Sequence, residues 1–252
     1  MIKTKEPFST DMRVNPPSPY HRGVRTHDAA SLIIVRQDED GPRVLMGVRH
    51  SRHRFMPGMV VFPGGKVDRC DFAAKANGEL DETTRTLLVA RMTGTARENR
   101  ARALLLAAIR ETFEETGLAI ATFNDNRHLP PSTSLWHPFL KLDLLPDLGA
   151  LQFIARAITP PGMVRRFDAR FFLTNHSRIA ASVKPESDEL SHLEWLTVNQ
   201  ARTRNIPTIT KIILNIVEHR LSLPQHRIHA EPVPFFRTVH GRREIMQMTV
   251  NT

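Results

Sequence analysis

Three glutamates near the end of one predicted helix are the residues of this chain best suited to chemistry. In the segment 108–117, Glu111, Glu114 and Glu115 are spaced i, i+3 and i+4, so they share one helix face. Like charges at this spacing cost roughly 0.2–0.5 kcal/mol per pair. Gly117 is typical of the position just after a helix, which puts the carboxylates at the negative end of the helix dipole. A bound divalent cation would remove both penalties.

The cation that such a set of oxygen ligands favours is Mg²⁺ or Mn²⁺. The competing interpretation is a solvated acidic face on a surface helix, which is a common arrangement. The choice between the two depends on what the rest of the chain brings to this helix end.

A glycine-rich bend upstream favours the metal site. Residues 60–68 (VVFPGGKVD) combine a short apolar strand pattern with a proline and a glycine pair. Glycine lets the backbone turn tightly and approach a ligand closely, with its carbonyl facing an ion. We therefore expect Gly65 to provide a carbonyl ligand beside Glu111, Glu114 and Glu115.

Together the bend and the helix resemble the Nudix box. That box has a glycine, five residues, a glutamate, seven residues, and then Arg-Glu-apolar-x-Glu-Glu-x-Gly-apolar. Gly65 matches its first glycine. Its second half matches Arg110, Glu111, Glu114, Glu115, Gly117 and Leu118.

The match departs from the box at three points. Asp71 stands where the first glutamate is expected, and Thr112 stands where an apolar residue is usual. Many more than seven residues separate Asp71 from Arg110, so the box is interrupted, with an insertion at 72–95. An interrupted box preceded by residues 54–65 (RFMPGMVVFPGG) resembles the Nudix-19 subgroup, whose animal members are coenzyme A diphosphatases. The resemblance covers roughly residues 27–220.

This resemblance implies an α/β Nudix fold, in which a mixed β-sheet is sandwiched between helices (α/β/α), with a helical insertion. It also implies that Arg110 orients a carboxylate and that a carboxylate outside the box completes the metal site or acts as the base. The acidic loop at 184–190 provides two candidates, Glu186 and Glu189, of which Glu189 is preferred. The base is one of the box glutamates, Glu114 among them, or Glu189.

Composition limits the class of protein. The chain has 252 residues, and 35 Lys and Arg outnumber 26 Asp and Glu, giving a net charge of +9 that favours anionic partners. No helix-turn-helix, zinc-finger or aromatic RNA-binding signature is present, so dedicated nucleic-acid binding is not expected. No apolar run reaches the ~18 residues of a membrane span, and the single cysteine fits a reducing compartment. We expect a cytoplasmic protein.

The chain divides into three parts. Residues 1–26 are polar and proline-rich and predict an extended arm. Residues 27–224 form the Nudix domain, and residues 225–252 are a basic extension whose pattern allows a terminal hairpin. The insertion predicts a helix over 82–92, and its role is either to cap the site or to form a homodimer contact.

Local patterns predict the elements that hold the site. Strands are expected at 29–36, 43–49, 118–123, 151–159 and 165–173. The helix that carries the glutamates is expected to begin near Thr95, with Thr95 and Glu98 forming a capping box, and to end at Thr116. Leu105, Ile109 and Thr112 are expected to pack on the sheet, opposite the glutamates.

Four residues are candidates for substrate binding. Arg49 and Arg54 lie in a basic loop ahead of the bend, and in coenzyme A-cleaving relatives the equivalent stretch holds substrate. Arg166 and Phe167 lie in an alternating strand in which arginine would grip phosphate and an aromatic ring would stack on a base. The alternatives are a generic basic loop and a half-buried strand with arginines outward. His27, near the arm, is either a phosphate contact or simply solvated.

These observations predict an enzyme that hydrolyses a diphosphate linkage in a nucleoside diphosphate derivative. The preferred substrate is coenzyme A or acyl-coenzyme A. Modified nucleoside triphosphates, ADP-ribose and NADH are the alternative substrates. A non-catalytic nucleotide sensor is the alternative from another class, but such proteins lose box glutamates and this chain keeps all three.

Overall fold

A computed structural model of the chain describes residues 24–52, 56–92, 94–124, 134–224 and 231–250. The predicted arm falls almost entirely outside these residues. No helix in the described ranges is long and apolar enough to cross a membrane.

A large mixed sheet is the centre of the fold. Its order is β10-β2-β1-β8-β7-β11-β12, with β3 paired to β2 and β4 paired to β1. The strands are β1 (Thr26–Asp38), β2 (Gly41–Arg49), β3 (Val60–Val61), β4 (Gly64–Lys66), β7 (Gln152–Ile158), β8 (Arg166–Asn175), β10 (Leu190–Thr197), β11 (Val233–Val239) and β12 (Arg242–Met248). β5 (Leu118–Phe123) forms a second, small sheet with β6 (Leu144–Pro146) and β9 (Ile179–Ser182).

β1 is the strand that brings the site together. It runs parallel to β8 over Thr26–Val35 and pairs with β2 over its last four residues. Its middle pairs with the glycine bend, Ala30 opposite Gly65 and Ser31 opposite Gly64. Its apolar, β-branched sequence suits a strand covered on both faces. The bend is therefore fixed at the centre of the sheet.

Helices cover both faces of the sheet and enclose two cores. One core contains Leu32 and Ile34 of β1, helix α1 (Glu82–Val89), helix α2 (Arg97–Thr116) and α3 (His137–Leu140). The other contains Ile33 and Val35 and is closed by α4 (Val198–Thr203) and α5 (Thr208–Leu221). Alternate β1 residues thus face opposite helical layers. This confirms the predicted α/β/α architecture with a mixed sheet.

The segment 72–95, predicted as an insertion, contains the helix α1, which ends at Val89, three residues before the predicted end. It buries Leu87 and Leu88 in the core shared with α2. An ion pair of 3.0 Å between Arg85 and Glu98 holds it beside the first turn of α2. Glu98 is thirteen residues before Glu111, about 20 Å at 1.5 Å per residue. This helix therefore packs against the start of α2, far from the glutamates.

The prediction was wrong for the N-terminal end of α2 and correct for its C-terminal end. The predicted capping box at Thr95 is wrong, because the N-cap is Ala96 and no side chain caps the helix. The predicted glycine stop is confirmed, since Gly117 has a φ of 74° and donates its N–H to the Phe113 carbonyl. Buried helices and strands surround the middle of α2, and its residues 103–110 are all buried.

The C-terminal extension contributes to the main sheet. β11 and β12 form an antiparallel hairpin that turns at His240 and Gly241. β11 also pairs in parallel with β7 through Phe235 and Phe236. Val233 and Met248 are buried in the α2 core. The described part of this extension is therefore integral to the domain.

The close contact at Gly117 generates a stability prediction. A Cβ there would lie 1.9 Å from the Val183 carbonyl oxygen, whereas Gly241, with nearly the same φ of 77°, has no atom within 4 Å of its Cβ position. Gly241→Ala should cost only the left-handed backbone penalty, about 1–2 kcal/mol. Gly117→Ala should lose a further ~1–3 kcal/mol because the Val183 backbone must move. Urea unfolding measures both, and equal losses would contradict the contact.

Candidate active site

The acidic end of α2 lies directly against the glycine bend. A Cβ on Gly65 would lie 2.4 Å from the carboxylate carbon of Glu111, so only glycine fits there without displacing that side chain. Gly64 donates its N–H to Glu115 Oε2 at 2.8 Å. Glu115 is buried, and Glu111 and Glu114 retain 15% and 23% side-chain exposure. The bend and the helix thus form one acidic, largely desolvated site.

Arg110 is the cation at the centre of this site. Its Nε and Nη2 donate to the two Asp71 oxygens at 2.9 and 3.0 Å, and Nη2 also donates to the Lys66 carbonyl at 2.9 Å. Its Nη1 donates to Glu111 at 3.0 Å and to Glu114 at 3.3 Å. Arg110 is 3% exposed and Asp71 is fully buried. The guanidinium therefore joins the bend, Asp71 and two of the three glutamates.

Asp71 is held by residues that sequence analysis did not connect with the site. It closes a capping box with Asp68 in the short 3₁₀ helix Arg69–Phe72, accepting the Asp68 N–H at 2.8 Å. The indole Nε1 of Trp136 donates to Asp71 at 3.1 Å. The spacing of Asp68 and Asp71 is typical of a capping box, so this contact could have been predicted from the sequence. Nothing in the sequence predicts the second, because Trp136 is 65 residues away.

Burial and mutual repulsion dominate the electrostatics of the glutamates. Loss of solvent raises the pKa of Glu111 to about 7, against the attraction of Arg110, and Glu114 raises it further. Burial also raises the pKa of Glu114 and raises that of Glu115 well above its ordinary range, with Glu111 and Glu189 adding to the effect at Glu115. The site therefore favours uptake of positive charge, as protons or as a cation.

The donor set fits a hard divalent cation. Carboxylates in a desolvated, mutually repelling group are ligands that Mg²⁺ and Mn²⁺ prefer. Glu115 Oε1 is buried without a hydrogen-bond partner, which leaves one oxygen available for an ion. The three glutamates do not converge on one point in this structure. Glu111 and Glu114 accept hydrogen bonds from Arg110, whereas Glu115 accepts one from Gly64. Among the described residues, no group of three acidic, His or Cys side chains is arranged to hold a metal ion.

The acidic loop at 184–190 is attached to the C-terminal end of α2. The N–H groups of Glu186 and Ser187 both donate to the Glu114 carbonyl, at 3.1 and 3.0 Å. Val183 donates to the Gly117 carbonyl at 2.9 Å. These bonds satisfy carbonyls that a helix end leaves without partners. They bring Glu189 close enough to influence Glu111 and Glu115 electrostatically.

The two candidate arginines of the basic loop differ in what the structure describes. Arg49 ends β2, and its guanidinium contacts the Glu189 carboxylate. Arg54 lies outside the described residues. Arg49 is thus next to the acidic site, where it faces a carboxylate of the chain itself.

Arg166 and Phe167 line a cavity of about 230 Å³ with Val24, His27, Lys66, Val164 and Arg165. Lys66 follows Gly65 directly, so the cavity lies beside the bend. Arg166 also donates to the Val24 and Thr159 carbonyls at 3.0 and 3.1 Å. The cavity is basic, with one aromatic wall.

Further along the same strand, Arg170 does not face outward. It is fully buried and contacts Asp28 at 2.9 Å and Asp168 at 3.0 Å. Asp168 also forms a two-point pair with Arg156, at 2.9 and 2.8 Å. These opposite charges compensate one another within the sheet, so the contacts of Arg170 are those of a structural residue.

The burial of Asp71 generates a second prediction. Asp71→Asn would remove the buried carboxylate that accepts from Arg110 Nε and Nη2, and breaking a buried pair in this way costs about 3–5 kcal/mol. Asp68→Asn is the matched control, because Asp68 is exposed in the same turn. Its loss should stay well below ~1 kcal/mol, because asparagine caps a helix about as well as aspartate does. Urea unfolding would separate the two, and equal losses would contradict a central role for the Asp71–Arg110 pair.

The raised pKa of Glu111 generates a third prediction. The folded protein holds the Glu111 proton up to a pKa of about 7, and the unfolded chain releases it near 4.5, so stability falls as pH rises through this interval. Glu111→Gln should remove that loss and stabilise the metal-free protein at pH 8 by on the order of 3 kcal/mol. Unfolding in EDTA at pH 5 and pH 8 measures the difference. Glu79→Gln, an exposed site, is the control, and a pH-independent effect of Glu111→Gln would contradict the prediction.

The chain is similar to known proteins in both sequence and fold. No protein-family model matches the sequence. A Caenorhabditis elegans protein provisionally named nudix hydrolase 7 is 30% identical over 187 residues, which cover 67% of this chain and 50% of that protein. The chain therefore spans about half the length of this curated relative.

A solved structure supports the same assignment. The crystal structure of a NUDIX hydrolase from Alicyclobacillus acidocaldarius superposes with a TM-score of 0.56 at 25% identity, covering 78% of this chain and 93% of that one. Its likeness is in fold, over nearly its whole length. Together with the sequence match to the nematode protein, it supports membership of this chain in the Nudix hydrolase superfamily.

Proposed function

We propose that the protein is an enzyme that hydrolyses the diphosphate linkage of a nucleoside diphosphate derivative with the help of Mg²⁺ or Mn²⁺. One observation carries the proposal. Glu111 and Glu115 lie largely desolvated against the Gly64–Gly65 bend, and Glu114 is joined to Glu111 through Arg110. A solvated acidic face would not explain this burial, because such side chains would extend into water at no cost.

Each residue has a distinct task in this proposal. Glu111, Glu114, Glu115 and the Gly65 carbonyl would hold the cations, which neutralise diphosphate charge and acidify a bound water. Arg110 keeps the Glu111 and Glu114 carboxylates oriented through its two-point pair with Asp71. Glu189, on the loop attached to α2, accepts the proton of the attacking water. Catalysis of this type relies on positioning and charge neutralisation.

The cavity beside the bend supports a nucleotide-type substrate. Arg165 and Lys66 are exposed cations in its wall, and Phe167 is an aromatic surface on which a base or a pantetheine arm can pack. Coenzyme A or acyl-coenzyme A is the proposed substrate because the interrupted box resembles the subgroup that cleaves it. ADP-ribose, NADH and modified nucleoside triphosphates share the diphosphate and are the alternatives. A cytoplasmic location accords with the free thiol of Cys70.

Replacement of Glu114 tests the reaction. Glu114→Gln keeps the side-chain volume and removes the charge, so hydrolysis should fall by a factor on the order of 100 or more at saturating Mg²⁺. Phosphate-containing products would be separated by ion-exchange chromatography. The assay panel contains coenzyme A, acetyl-coenzyme A, ADP-ribose, NADH and 8-oxo-dGTP, each with Mg²⁺ and with EDTA. Coenzyme A species should give the highest kcat/KM.

Glu98→Gln is the control because Glu98 is an exposed glutamate in the first turn of the same helix. It should retain full activity. Turnover by Glu114→Gln equal to the unmodified protein would reject the assigned role of the box. Tight, metal-dependent binding of a panel compound without turnover would instead indicate the nucleotide sensor.

A further inference from the structure

Arg49 occupies a position that its basic loop did not suggest. Its guanidinium contacts the carboxylate of Glu189, and the two side chains are 17% and 33% exposed. A residue that awaits a substrate phosphate usually presents its charge to solvent or to an open cavity. Arg49 instead makes a partly buried contact within the chain, with its Nε fully enclosed.

The backbone keeps these two residues next to each other. Arg49 pairs with Leu190 in the register between β2 and β10, and His50 donates its N–H to the Glu189 carbonyl at 3.0 Å. On its other side, Arg49 exchanges backbone hydrogen bonds of 2.9 Å with Met59 and Gly58. Backbone hydrogen bonds on both sides therefore fix the main chain of Arg49, and they fix the main chain of Glu189 relative to it.

The opposite end of the same loop is fastened to α2. Glu186 and Ser187 bind the Glu114 carbonyl, and the Ser187 hydroxyl accepts the Glu189 N–H at 3.0 Å. The loop thus spans from the acidic helix end to β2. The backbone of Glu189 is held at the β2 end of this loop by its hydrogen bonds to His50 and Ser187. Its side chain can still rotate about its own bonds.

Electrostatics alone would turn that side chain away from the site. Glu189 carries the same charge as Glu111 and Glu115, whose pKa values are raised first by burial and in smaller part by Glu189. Arg110 is committed to Asp71, Lys66, Glu111 and Glu114. A cation on the β2 side can hold the Glu189 carboxylate against this repulsion, and Arg49 is placed there.

We propose that Arg49 is a positioning residue that holds the Glu189 carboxylate at the acidic end of α2, and that it does not itself bind substrate. This replaces the expectation of phosphate binding by Arg49. The inference rests on the proposed function, because it gives Glu189 its task there. In this proposal Arg49, Glu189 and the 184–190 loop act as one unit of the catalytic machinery.

A double-mutant cycle tests the inference. Glu189→Gln should lower kcat about 100-fold, the range of a lost general base. Arg49→Met should lower kcat about tenfold or more and leave KM within about threefold, because ground-state substrate binding is untouched. The double variant should be no slower than Glu189→Gln, since Arg49 acts through a carboxylate that is already absent. Arg49→Lys should recover most of the rate by restoring the charge.

Arg97→Met is the matched control, because it removes the same charge from an exposed position in the first turn of α2, far from the acidic end of that helix. It should change kcat and KM less than about twofold, as expected of an exposed site outside any contact network. Circular dichroism and thermal unfolding establish that each variant is folded. If Arg49→Met does not fold, Arg49→Lys and Arg49→Gln complete the same cycle.

Two outcomes overturn the inference. One is a KM increase of about tenfold with kcat unchanged in Arg49→Met, which marks a substrate contact. The other is a loss in the double variant equal to the product of the single losses. Failure of the proposed function is distinguishable, because it would appear as full activity in Glu114→Gln. An inactive Glu114→Gln together with a KM effect at Arg49 rejects only the inference.

Discussion

The buried contact between Arg110 and Asp71 is the interaction on which the rest of the site depends. A guanidinium has five N–H donors, and here Asp71 receives two, the Lys66 carbonyl one, and Glu111 and Glu114 the others. Every donor therefore ends on a part of the site. A buried charge is tolerated only when it is paired and hydrogen-bonded, so this cation cannot move without exposing several unpaired groups at once. Glu111 and Glu114 keep their positions because Arg110, their common partner, is immobile.

This arrangement tolerates the long connection between Asp71 and Arg110. Asp71 and Arg110 are 39 positions apart, yet they meet in a two-point pair. The entropic cost of closing a loop grows only with the logarithm of its length, so lengthening the connection costs little. The inserted helix α1 offsets part of that cost by burying Leu87 and Leu88 against α2. Asp71 and Arg110 are therefore held together by a side-chain contact and not by a short separation in sequence.

Prediction from the sequence succeeded where local patterns dictate structure. Apolar β-branched runs specified β1 and β2, and Gly117 specified the end of α2, since only a residue tolerant of positive φ continues the chain there. It failed where distant residues compete. The Thr95–Glu98 capping box does not form, and Arg170 is buried because Asp28 and Asp168, on two different strands, meet its charge. Trp136 and the attachment of the 184–190 loop were not foreseeable for the same reason.

The two charge networks on the α2 face of the sheet act together on the position of the glutamates. At the start of the helix, Arg100 makes a two-point contact with Asp28 of β1, which also contacts Arg170. Near its end, Arg110 is tied to Asp71 and to the Lys66 carbonyl of β4. Apolar packing alone lets a helix slide or rotate slightly, because its contacts are numerous, weak and similar in energy. Directional ionic contacts ten residues apart remove that freedom, so the carboxylates face the bend in one orientation, which a site built on positioning requires.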